Sequence, residues 1–102
     1  MPSLVVLFNL RDGIDAGDYE SWARETDIPG VSGLGSVDRF SVLKSQGLLM
    51  SDDAPPYEYV EIIEVNDMDA FGEDMQGETV KRTAAEFQQF ADSPTFILMD
   101  SI

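Results

Sequence analysis

Asp27 is the first residue in this chain whose type and position could do chemistry. It stands in the run Asp27-Ile28-Pro29, where a helical pattern meets a proline. A carboxylate at a helix C-terminus faces the negative end of the helix dipole, which raises its pKa. A carboxyl tuned upward can act as general acid or base. The plain alternative is a solvated residue at a helix end. Glu61 is the second candidate for moving a proton. It and Arg39 fall on two segments expected to be neighbouring strands. An ion pair buried between them is costly unless well hydrogen-bonded. It would orient a polar group of a substrate, or tie a subunit interface.

Other chemistries are closed off by composition. The sequence has no cysteine and no histidine. That removes the thiolate nucleophile, disulfides, and the commonest general base and metal ligand. Proton transfer is left to Asp, Glu, Tyr, Lys or water. No metal and no cofactor is expected. Asp67-x-Asp69-x-Phe71-Gly72, with Glu78 further on, mimics part of a calcium loop, but Phe71 occupies a ligand position. Gly33-Leu34-Gly35 precedes a strand rather than opening a helix, unlike a nucleotide loop. Asp52-Asp53 reads as a solvated loop.

Tyr19, Trp22, Tyr57 and Tyr59 could stack on a flat heteroaromatic ligand. Tyr19 and Trp22 equally fit the apolar stripe of a helix. Asn9, at the end of an apolar strand, could hold a polar group of the same ligand.

The elements that must position these residues follow from periodicity. Residues 4–10 are almost continuously apolar and read as a buried strand. From Asp15 the period changes: Tyr19, Trp22, Ala23 and Thr26 recur at helical spacing. Asp15 or Asp18 caps that helix, and Pro29-Gly30 ends it. A second strand spans 36–44, and 48–50 reads as a short extended piece. The strongest strand signal, aromatic and β-branched, covers 57–65. Asn66 or Asp67 caps a second helix with Met68, Phe71 and Met75 as its stripe. Gly77 interrupts it, and Val80, Ala84, Phe87 and Ala91 continue at helical spacing. Asp92-Ser93-Pro94 breaks the pattern, and 95–99 is the last strand.

The order β-α-β-β-α-β specifies one α+β domain over residues 1–102, ferredoxin-like, with a four-stranded antiparallel sheet. Right-handed crossovers put both helices on one face. Strand 1 is apolar on both faces, and so is strand 4. A sheet of that kind needs cover on both sides, and a second copy in a two-fold dimer supplies it. In the expected register Asn9, Arg39, Ser41, Tyr59 and Glu61 point to this second face. A mixed polar and apolar enclosure there would serve as a small-molecule pocket.

The net charge of −14, from 20 acidic and 6 basic side chains, repels phosphate. Nucleic acid and anionic membranes are therefore poor partners. The N-terminus lacks the pattern of a signal peptide, and no apolar run approaches membrane-spanning length. The expectation is a cytoplasmic protein.

Strand 1, the Tyr19-x-x-Trp22 helix, Asp27-Ile28-Pro29, Val37-Asp38-Arg39-Phe40 and Tyr57-Glu58-Tyr59-Val60-Glu61-Ile62 together resemble the RedY-like family of the dimeric α+β barrel superfamily. The resemblance covers nearly the whole chain and lies in order and spacing. It implies a homodimer whose two sheets close into a barrel. It also implies a role in making a prodigiosin-type tripyrrole pigment, on the branch that builds the methoxy-bipyrrole aldehyde. Many barrel relatives end the first helix with His-x-Pro. Here Asp27 stands in place of that His, which speaks against imidazole chemistry, haem ligation and a cofactor-free oxygenase.

Two readings of function follow. In one, Asp27 or Glu61 moves a proton on a pyrrole or bipyrrole intermediate, while Asn9, Arg39, Tyr59 and Trp22 bind it. In the other, the protein is a helper that shields such an intermediate or stabilises another pathway enzyme.

Overall fold

A computed structural model describes residues 2–102. The apolar N-terminal run forms β1 (Pro2–Leu10). It pairs antiparallel with β3 (Tyr59–Val65) on one side and β4 (Ala91–Asp100) on the other. β2 (Val37–Lys44) adds outside β3, giving the order β2-β3-β1-β4. The central strand β3 carries the densest β-branched and aromatic sequence, as a pleated and half-buried surface favours. This is the ferredoxin-like arrangement expected from the sequence.

The first crossover is one helical rod in three pieces: α1 (Ala16–Trp22), a π-helical turn (Ala23–Asp27) and α2 (Ile28–Ser32). The second is α3 (Met68–Asp74) followed by α4 (Glu78–Phe90). Asp67 caps α3, its carboxylate accepting from the backbone N–H groups of Asp69 and Ala70. The calcium-like run is therefore a helix start. Gly77, in extended conformation, is the N-cap of α4.

The first helix departs from the expectation. It continues past Pro29-Gly30 to Ser32, and Thr26 is exposed. The buried row is Tyr19, Ala23, Asp27 and Val31, every fourth residue. In a regular α-helix each four-residue step drifts by about 40°. Three steps would carry the row about a third of the way round the rod. The π turn adds a residue to its turn and absorbs that drift. There the Ile28 N–H bonds to Ala23 O, five residues back. Pro29, which has no N–H to give, thus falls where the ladder is already opened.

Strand ends also differ. β3 starts at Tyr59, two residues later than predicted. β4 starts at Ala91, immediately after α4, because its first residues pair with Asn9 and Leu10 across a register shift. Ser93 takes φ 47° within that irregular stretch. Residues 48–50 form no strand.

Register decides which side chains meet. Phe8 lies opposite Tyr59, and Val6 opposite Glu61. Phe40 and Val42 lie opposite Ile63 and Glu61. All of these face the helices. The expected placement of Tyr59 and Glu61 on the uncovered face is therefore corrected: alternation from the buried Phe8 and Val6 turns them inward. Asn9, Arg39 and Ser41 remain on the other side. Arg39 does not meet Glu61; it lies opposite Glu64 on that outer face and forms an exposed 4.0 Å ion pair with it.

The core has two apolar clusters. One gathers Val6, Phe8, Tyr19, Ala23, Tyr59, Phe87 and Ala91. Its rings pack mostly edge-to-face, as Phe8 does on Tyr19 at 5.5 Å and on Phe87 at 4.9 Å. The other gathers Val31, Val37, Phe40, Ile63, Val65 and Phe71. On the far face, Val5, Leu7, Val60 and Ile62 are half-buried and no helix covers them.

Candidate functional site

Two polar residues occupy the seam between the clusters. Along β3, Tyr59 belongs to the first cluster and Ile63 to the second, with Glu61 between them. Along the first helical rod, Ala23 belongs to the first and Val31 to the second, with Asp27 between them. Asp27 and Glu61 are each 5% exposed. Their carboxyl groups lie within hydrogen-bonding reach of one another. The Tyr19 hydroxyl donates to Glu61 Oε2 at 3.4 Å. Asp27 Oδ2 is buried with no hydrogen-bond partner.

Burial dominates the electrostatics. It pushes Asp27 up to about 6, against the opposing hydrogen bond from Glu61. It pushes Glu61 well above the usual carboxylate range, helped by the charge of Asp27 and opposed by the Tyr19 hydroxyl. Asp27 rises for want of solvent, then, and the helix-end dipole argument is replaced, because the rod does not end there. Two carboxylates this close in a dry site do not both ionise, and the pair shares a proton. Near neutral pH Glu61 keeps that proton and gives its hydrogen bond to Asp27, which carries the charge. Burial and the neighbouring Glu61 also raise the Tyr19 phenol, keeping it a hydrogen-bond donor.

The pair forms part of the wall of a cavity of about 110 Å³ between sheet and helices. Leu4, Phe40, Phe71 and Phe87 supply apolar walls, and the exposed Phe96 of β4 marks its mouth. Its size approaches the roughly 150 Å³ at which an apolar protein cavity takes up a benzene-sized ring. The chamber thus lies within one chain, under the helices. Tyr59 and Glu61 are therefore not part of any enclosure on the face offered to a second copy, because they turn the other way.

A family model for the REDY-like protein HapK matches residues 2–102. The chain belongs to the HapK family. The crystal structure of HapK from Hahella chejuensis is similar with a TM-score of 0.81 at 28% identity, covering 100% of this chain and 93% of that one. SnoaB, a cofactor-independent oxygenase from Streptomyces nogalater, matches with a TM-score of 0.77 at 17% identity, covering 99% and 92%. A dimeric ferredoxin-like protein from Thermobifida fusca matches with a TM-score of 0.74 at 11% identity, covering 98% and 90%. The last two likenesses show the fold alone. No curated protein matches the chain.

In this HapK-family chain the other expected site residues serve elsewhere. Trp22 donates from Nε1 to Glu86 at 2.8 Å and packs on Phe90, which clamps α1 to α4. Asn9 donates to Pro56 O at 3.1 Å and accepts from the Glu58 N–H at 2.9 Å, pinning the loop that leads into β3. Tyr59 lines a second cavity of about 120 Å³ beside the π turn, with Tyr19, Ala23, Glu20 and Lys44. Its hydroxyl donates to Glu20 Oε2 at 2.6 Å, and Lys44 donates to the same oxygen at 2.8 Å. Those bonds, Lys44's first, hold Glu20 below its usual range. Burial, then Glu20, raises the Tyr59 phenol. Among the predicted residues, therefore, the structure brings together Asp27 and Glu61. Sequence reasoning missed Tyr19 as the donor to Glu61. The one available signal was the every-fourth row 19, 23, 27, 31, which holds an acid where a core helix should carry an apolar residue.

Proposed function

We propose that this HapK-family protein acts in prodigiosin-type pigment biosynthesis, moving a proton on a small pyrrole or bipyrrole intermediate held in the Asp27–Glu61 chamber. The observation that carries the reading is a proton-sharing carboxyl pair set in an apolar cavity. A base whose pKa lies near 6 is matched to proton transfer around neutral pH. Asp27, the charged member of the pair, is the group that takes a proton from the ligand. Glu61 holds the proton that can be returned, and Tyr19 orients Glu61. Such a pair serves acid–base or cyclisation chemistry without a cofactor. Family membership supports a small biosynthesis-related protein; the pigment pathway and its methoxy-bipyrrole branch are what the RedY-like resemblance of the sequence implies.

The protein works as a cytoplasmic homodimer in this reading. Its uncovered sheet face carries Val5, Leu7, Val60 and Ile62, and a two-fold partner is the simplest cover. Among the described residues, no helix is long and apolar enough to cross a membrane.

Complementation of a pigment-deficient host with Asp27→Asn tests the function. Lost pigment, with fold and dimer intact, supports catalysis. Full pigment refutes it and leaves a helper that shields an intermediate or stabilises a pathway enzyme.

A further inference from the structure

The carboxyl pair leaves one charge in the chamber, and nothing among the described residues balances it. Asp27 is only 5% exposed, and apart from the proton shared with Glu61 its carboxylate meets no hydrogen-bond donor among the described residues. The titratable groups that face it are Glu61 from β3 and Tyr19 from α1. The walls contributed by β1, β2, α3 and α4, among them Leu4, Phe40, Phe71, Thr83 and Phe87, carry no charge. The nearby cations Lys44 and Arg24 line the other cavity and pair with Glu20. A buried charge without a counter-ion is unfavourable, so such a site takes up a proton or an opposite charge.

We propose that the chamber is a binding site for a small organic cation carrying an N–H donor, such as a protonated nitrogen heterocycle. The ligand N–H donates to the Asp27 carboxylate, and the ring packs against Phe40, Phe71 and Phe87. Aromatic faces around a cation add a favourable interaction. The net charge of −14 draws cations toward the chain as a whole. A neutral hydrocarbon ring of the same size gains the packing and leaves the charge unbalanced. The inference rests on the chamber invoked for the proposed function, but not on any reaction occurring there.

Calorimetric titration near pH 6.5 with 2-aminopyridine and with toluene tests it. The expected result is 2-aminopyridine binding at least about tenfold more tightly than toluene. In Asp27→Asn that preference disappears while toluene affinity stays. Equal affinities in the unaltered protein overturn the proposal, and so does failure of 2-aminopyridine to bind. If Asp27→Asn does not fold, Glu61→Gln decides: it keeps Asp27 charged and must keep the preference, and losing the preference overturns the proposal. Pigment formation that ignores Asp27, beside an intact cation preference, removes the proposed function and leaves this inference standing. The reverse pair of results removes only this inference.

Discussion

Asp27 on the π turn and Glu61 on β3 meet as two buried carboxyl groups, each taken from the row of its element that separates one apolar cluster from the other. The row positions on either side, Tyr59 and Ile63 on the strand and Ala23 and Val31 on the rod, are apolar or aromatic core. An apolar pair at the seam would join the two clusters into one. The chain instead buries two acids, an arrangement that destabilises a fold unless protons are shared.

Stability should therefore fall as pH rises through the weakly acidic range. Asp27 has an ordinary value of 3.8 and about 6 in the fold. Between those values the folded state binds more protons than the unfolded one. The pair's contribution is full below about pH 4 and is lost as pH rises through 6, and Glu61 extends the loss upward. Glu20, held low by Lys44, acts only below its usual 4.5 and leaves the range from 5 to 8 unaffected. Thermal melts should give a midpoint several degrees higher at pH 5 than at pH 8, on the order of 2–3 kcal/mol. The gap should shrink in the Asp27→Asn, Glu61→Gln double variant. An unchanged gap would assign the effect to general charge repulsion.

Replacing both acids with apolar residues should cost little. Asp27→Leu with Glu61→Met should be as stable as the unaltered chain at neutral pH, or more so by about 1–4 kcal/mol, as for other buried ionic groups. Its pigment activity should be lost. Denaturant unfolding reads the first effect and complementation the second. A double variant that is strongly destabilised would mean the pair is a structural bond rather than a retained functional strain.

Much of this arrangement was legible in the sequence. The continuous apolar run from Leu4 to Leu10, the aromatic run before Val65 and the breaks at Gly77 and Pro94 give the element order and the fold. Asp27 and Glu61 could be named as acids. What periodicity could not supply was their meeting. Glu61 sits on a strand with aromatic and aliphatic residues at alternate positions, and either face could be buried until register is known. Asp27 looked like a helix end because Pro29-Gly30 normally stops a helix. The π turn overrides that rule, and no local composition announces it. Asn9, Arg39 and Trp22 are polar or aromatic in suggestive places, yet their partners, residues 56–58, Glu64 and Glu86, are fixed by tertiary contacts far along the chain.

Asn9→Ala should loosen the loop before β3. It removes one donor and one acceptor that fasten the loop backbone. The expected cost is about 1–2 kcal/mol, with faster hydrogen exchange at the Glu58 amide and an unchanged titration of the buried pair. Exchange at Glu58 that does not change would show the contact to be idle.

Leu7→Asp should separate the proposed dimer. Leu7 lies on the sheet face that no helix covers, with Val60 opposite. Sedimentation should shift from two copies to one, while the chamber, built within one chain, keeps its titration. A single copy in the unaltered protein at micromolar concentration would remove the dimer.

Carboxyl-carbon NMR, followed residue by residue from pH 3 to pH 9, measures the shared proton itself. Asp27 should titrate near 6, and Glu61 should stay protonated well above the range of an exposed glutamate, with Tyr19→Phe raising Glu61 further. Both carbons titrating near 4, independently of each other, would mean two ordinary solvated acids and no proton-sharing chamber.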